Sequence, residues 1–460
     1  MLEFLYVRLP EDIKRLEDAG YLDAAVNKIK QMLNMDLPPL LKKRLEYELE
    51  VIRRIKFDYP YDDKEAFEIL SREIENLTRE QFEKWINEGY VDFVVINGKR
   101  RFFRRFAANL FFLCKDAEKL RKRKDGEVEK RRKILEEHVK EILSQKPVGY
   151  LKPRRVRIKM RVTLKPNAVP AGEIVRAWLP FPREGDLQTN VKLIRAFPEN
   201  YQIAPNDAPQ RTIYFEQEVE ENKPTIFEVE YEYVVRAFYL KIDPEKVRPY
   251  DEDSEIYKKY TKEQPPHILF THYLRDLVEE IVGDEENPYK KAEKIYQWIT
   301  THVRYTYVPN YGIFENIPEF VARNLRGDCG FYALLFITLC RIAGIPARWQ
   351  SGWYCHPLRA GPHDWAQFYI EPYGWLYADL SFGSSAYRRN NETLHKFYFG
   401  NIDAFRTAFN IDIMSEFVPK KKFIRSDPVD NQVGELEWRK GNIYYDQFDY
   451  EIQIVEQEFI

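Results

Sequence analysis

Residues 324–352 read NLRGDCGFYALLFITLCRIAGIPARWQSG, and residues 363–383 read HDWAQFYIEPYGWLYADLSFG. Cys329 follows Gly327-Asp328 and precedes Gly330. The apolar run Phe331–Ala343 then ends at Gly344-Ile345-Pro346, a glycine stop with a proline just beyond it. This pattern predicts a buried helix with the cysteine at its N-terminus. The partial positive charge there favours thiolate over thiol, and the thiolate is the nucleophile. Flanking glycines leave room for a substrate backbone, and first-turn N–H groups are natural oxyanion donors.

A thiolate needs a group to protonate the departing amine and a second group to orient the first. His363 opens an alternating strand with Trp365, Gln367 and Tyr369, and Glu371-Pro372-Tyr373-Gly374 turns the chain into a second strand, Trp375–Asp379. A five-residue loop, Ile370–Gly374, places Asp379 opposite Trp365, on the face of His363 and diagonal to it. An even-numbered loop would separate them. Each residue taken singly has a structural reading: cysteine as apolar filler, histidine as a satisfied surface group, aspartate as a turn former. Their joint order, with Gly-Asp-Cys, Gly-Ile-Pro-Ala-Arg, His-x-Trp and Gly-Trp-x-x-x-Asp, points to a thiol site.

At these residues the sequence resembles the transglutaminase-like superfamily, in which a helix-borne cysteine meets a histidine and an aspartate on adjacent strands. The likeness is dense over 324–383 and extends more weakly back to about Asp276. It implies Cys329 as nucleophile, His363 as general acid/base and Asp379 as orienting group. Two positions depart from the family pattern: Gln367 stands where relatives often have Glu, and Leu380-Ser381 replaces Pro-Ser/Thr after the aspartate. The implied chemistry is acyl transfer through a Cys329 thioester. Hydrolysis, by a peptidase or amidase, is expected over transglutaminase cross-linking, because no EF-hand-like calcium loop is present. A non-catalytic protein-interaction module on the same scaffold is the alternative of another class.

The neighbouring residues are weighed in the same way. Cys340 and Cys114 lie in apolar runs, and Cys355 adjoins His356 without enough ligands for a metal site. His356 is the rival of His363 but lacks a partner like Asp379. Trp349, Trp353, Tyr354 and Trp365 are candidates to line a substrate groove, although most aromatic rings here belong to the core of a strand layer. No cofactor or metal is expected. The expected partner is a protein or peptide substrate, with a primary amine as the alternative acceptor.

Outward from this stretch, the 460 residues divide by pattern. Residues 1–150 read as mostly helical, with amphipathic runs at Leu22–Leu33, Pro39–Ile55, Lys64–Ile74 and Arg131–Leu143, a helix cap at Thr78 and one hairpin about Asn97-Gly98. Residues 151–243 change to period two, beginning with Val156, Ile158, Met160, Val162 and Leu164, and read as an antiparallel β-sandwich. The catalytic domain is 244–420. Residues 421–460 end in an alternating strand, Phe448 to Ile454, expected to close an existing sheet. The fold class is α+β.

Composition narrows the function. Hydrophobic residues make up 44% and charged residues 32%, a folded chain, and 72 basic against 74 acidic residues leave no global field for nucleic acid or an anionic membrane. Basic clusters at Lys99–Arg105, Arg121–Lys124 and Lys130–Lys133 are flanked by acids and read as solvated faces. Four cysteines with no CxxC spacing, no signal-like leader and no long apolar run predict a reduced, cytoplasmic setting without a membrane anchor.

Overall fold

The alternation that opens at Val156 becomes a long strand, Val148–Leu164, with Val156, Ile158, Met160 and Val162 fully buried. The computed structural model describes residues 3–122 and 126–460, so Arg123 and Lys124 of one basic cluster lie outside the described residues. The chain forms two compact units, Met1–Gly126 with Arg304–Glu315 and Arg326–Asp328, and Glu127–Val303 with Asn316–Leu325 and Cys329–Ile460. Helix and strand are mixed throughout, and the larger sheets are antiparallel.

In the first unit, amphipathic helices such as Leu22–Leu33, Pro39–Asp58 and Asp63–Glu73 bury their apolar stripes. Thr78 Oγ1 accepts the Gln81 N–H at 3.2 Å and starts helix Arg79–Asn87. Asn97 and Gly98, at φ 50° and 78°, turn the hairpin Phe93–Ile96/Lys99–Phe102. Arginines of the basic cluster have partners within the unit: Arg100 pairs with Glu83 at 2.9 Å, Arg104 stacks 4.0 Å from the Phe57 ring, and Arg105 3.6 Å from that of Tyr307. Segments 304–315 and 326–328 are held by polar contacts. The Asn109 amide brackets the Tyr307 backbone at 2.7 and 2.9 Å, Asp58 accepts from Asn310 N at 2.7 Å, and Arg326 pairs with Asp92 at 2.6 Å.

In the second unit, a four-stranded sheet runs Phe448–Phe459, Val148–Leu164, Thr225–Leu240, Gln188–Phe197. A five-stranded sheet runs Gly441–Ile443, Glu435–Trp438, Ile174–Pro180, Thr212–Glu218, Tyr201–Ile203. Their rings meet, Phe215 with Phe227 at 6.0 Å. The tail therefore supplies strands to both sheets, the last pairing along Val148–Leu164. Helix Glu127–Leu143 lends Leu135, Val139 and Ile142 to a core shared with Leu394, Phe397 and Phe405.

The third large sheet carries the candidate site. Its order is Phe399–Gly400, Gly374–Ala378, Arg359–Ile370, Ala347–His356, Arg406–Asn410. Helix Cys329–Ile342 packs on it with every residue from Gly330 to Arg341 buried. Among the described residues no helix is long and apolar enough to cross a membrane.

Candidate active site

Cys329 is the first residue of its helix and is partly exposed. The far end of the helix stops as the sequence dictates. Gly344 adopts φ +76°, its N–H reaches Arg341 O at 3.1 Å, and Ile345 N reaches Cys340 O at 2.8 Å, the two bonds of a Schellman stop. The helix is thus anchored by its apolar body while its N-terminal residue stays partly exposed.

The histidine and aspartate strands pair with Ile370 opposite Gly374 and Ala366 opposite Ala378. This register carries Asp379 to the level of Trp365, as the odd loop requires. His363 Nε2 lies 2.7 Å from Asp379 Oδ2. Asp379 is fully buried and divides its two oxygens. Oδ1 accepts from Phe382 N at 3.1 Å and Ser381 Oγ at 3.2 Å, capping helix Leu380–Arg388, while Oδ2 serves His363.

Oδ2 also accepts from Arg406 Nη2 at 2.7 Å. Arg406 is fully buried, pairs with Asp403 at 3.2 Å, and stacks 4.5 Å from the Phe382 ring and 4.6 Å from that of Tyr354. Burial alone would push the Asp379 carboxyl up. The His363 and Arg406 charges beside it win and hold it down at about 2. Burial works against the Arg406 charge, and the two aspartates more than offset it.

Cys329 Sγ is tied to the same strand one residue further on, donating to Asp364 Oδ2 at 3.2 Å. Asp364 Oδ1 accepts from Gln432 Nε2 at 2.7 Å, and Gln432 Nε2 also reaches His363 O at 3.0 Å and Gly352 O at 3.1 Å. Behind Asp364 stands Asp430, hydrogen-bonded to it and to Ser351 Oγ. Burial and the nearby Asp427 charge push the Asp430 carboxyl up to about 7.

The structure thus joins His363 to Asp379 by one hydrogen bond and brings Cys329 to the same strand. His356 is elsewhere engaged, its Nε2 on Arg131 O at 3.2 Å and its Nδ1 accepting from Leu358 N at 3.1 Å. Cys340 and Cys355 are buried, and burial pushes both thiols up. The expectation of a tryptophan-lined groove is corrected. Trp349, Trp353 and Trp365 are 2%, 0% and 0% exposed, with Nε1 donating to Ser351 Oγ, Gln432 O and Gln350 Oε1. Satisfied indoles inside the strand layer are core. Tyr354 is half-buried, 6.1 Å from the His363 ring.

Sequence reasoning missed Arg406, Asp364, Asp430 and Gln432. Arg406 had one signal, a cation inside the otherwise uncharged run Phe405–Asn410. Asp364 adjoins His363, but strand alternation assigned it to the opposite face. Nothing in 425–434 marked it as part of a site.

Residues 275–380 match the family model of the transglutaminase-like superfamily. An uncharacterized protein of Haemophilus influenzae is 26% identical over 274 residues, covering 51% of this chain and 73% of that one. The solved structures that align include a candidate cysteine protease of Cytophaga hutchinsonii, at 16% identity over 68% of this chain and 94% of that chain with TM-score 0.45, and the periplasmic domain of TgpA from Pseudomonas aeruginosa, at 15% identity over 55% and 99% with TM-score 0.28. The stretch that matches the transglutaminase-like superfamily, 275–380, holds Cys329, His363 and Asp379.

Proposed function

We propose that the chain is a thiol-dependent acyl-transfer enzyme acting on carboxamides of a peptide or protein, and that it hydrolyses them. The observation that carries this reading is the 2.7 Å bond from His363 Nε2 to the buried Asp379, which fixes the ring. An imidazolium held in this way has a counter-ion and a set orientation. The Cys329 thiolate adds to the carboxamide carbon, forming the C–S bond as the carbonyl electron pair moves to oxygen. His363 gives its proton to the departing amine as the C–N bond breaks. Water then adds to the thioester, passing a proton back to His363, and the C–S bond breaks to release the acid. Partial exposure of Cys329 supports water as the acceptor.

The test is incubation of wild type and Cys329→Ala with casein and with a glutamine peptide, each with and without a primary amine. Fragments released by wild type alone would identify a peptidase, and ammonia an amidase. Incorporated amine would move the assignment to transglutaminase chemistry. Equal traces from both proteins would overturn the thiol mechanism.

A further inference from the structure

Asp364 is not one of the three residues of the thiol mechanism, yet its Oδ2 is 3.2 Å from Sγ. Two of the oxygens in the Asp364–Asp430 pair have a fixed donor. Ser351 Oγ accepts from Trp349 Nε1 at 2.9 Å and from Asn410 Nδ2 at 3.0 Å, so its single proton is directed to Asp430 Oδ2. Gln432 Nε2 donates to Asp364 Oδ1. Two carboxyls that hydrogen-bond each other need a proton between them, and two ionised carboxylates at 5% exposure apiece repel strongly. While that proton is held the pair carries one negative charge, and when it leaves two charges lie beside Sγ, 3.2 Å from Asp364 Oδ2.

Resting on the thiol reading, we propose that Asp364 and Asp430 form a carboxyl pair that holds one proton between them beside Cys329 Sγ, so that the nucleophile is switched off when that proton is lost. With the proton held between the carboxyls, the pair carries one negative charge, and a thiolate at Sγ meets one charge rather than two. Without it, two carboxylate charges face Sγ, and the thiol keeps its own proton as a donor to Asp364. The groups around the pair are Cys329 from its helix, Ser351 from the neighbouring strand, His363 next in the chain and turned to Asp379, and Asp427 and Arg425 from the tail. Arg425 is engaged by Glu435 at 2.5 Å, which also holds Lys421 at 3.1 Å, so the cation nearest Asp430 has its own counter-charge. Asp328, one residue before Cys329, accepts from Tyr311 at 2.5 Å. The elevation of Asp430 to about 7 puts loss of the shared proton near neutrality.

The experiment is alkylation of Cys329 by iodoacetamide from pH 5 to 9, followed by peptide mass spectrometry, in wild type, Asp364→Asn and Asp430→Asn. Thermal melts check that each variant is folded. Wild type should lose reactivity several-fold as pH rises through about 7, in the direction opposite to a simple thiol. Asp364→Asn and Asp430→Asn should each abolish that fall and leave a rising profile. A fall with the same midpoint in both variants overturns the proposal, and so does a wild-type profile that only rises. Either result leaves the thiol mechanism standing if peptide turnover depends on Cys329. A Cys329 that stays unreactive in all three proteins sinks both.

Discussion

Asp379 shows how much one side chain carries. Its Oδ1 caps a helix and its Oδ2 holds both His363 and Arg406. Asp379→Asn keeps the cap but favours the wrong imidazole tautomer, so turnover should fall by about 10⁴-fold. Asp379→Ala should lose activity similarly and be less stable than Asp379→Asn by about 1 kcal/mol in denaturant unfolding, because the cap goes too. The folded carboxyl at about 2 lies below the unfolded value of about 3.9. Its ion pairs therefore stabilise the fold fully above about pH 4, and that contribution is lost as pH falls toward 2. Arg406→Met strands Asp379 and Asp403 without their buried cation and should cost about 3–5 kcal/mol in chemical denaturation. The deficit relative to wild type should shrink on acidification, because a protonated aspartate no longer needs the cation.

At the scale of elements, the site depends on the register of three strands. Gly352 lies opposite His363, and a Cβ there would sit 1.8 Å from Thr407 O on the Arg406–Asn410 strand. Only a residue without a side chain lets that strand approach and deliver Arg406. Gly352→Ala should therefore destabilise by about 1–3 kcal/mol, read from thermal melts, and lower turnover through the displaced arginine. The histidine hairpin was legible in the sequence because loop parity alone decides which face Asp379 shares. The Arg406–Asn410 strand was not legible: it is short, carries a charge, and is buried only because Asp379 and Asp403 neutralise that charge.

Across the whole molecule, pH should also act through buried groups outside the site. His267 is 1% exposed with neither ring nitrogen hydrogen-bonded, and burial holds it down at about 3. Below the unfolded value of about 6.5, the unfolded chain binds a proton that the fold refuses, so stability falls with falling pH. Relative to His267→Leu, wild type should lose about 1.4 kcal/mol per pH unit between about 6.5 and 3, measured by urea unfolding across that range. The sequence by itself determined the helix that presents Cys329, the parity that joins His363 to Asp379, and the change of period that begins the β-region. Those are local rules of turn, cap and alternation, each complete within a few tens of residues. Tertiary structure alone decided that Arg406, Asp430 and Gln432 complete the surroundings of the site and that three tryptophans are core. A buried charge or indole takes whichever partners packing brings to it, and here Gln432 comes from 68 positions along the chain from Asp364.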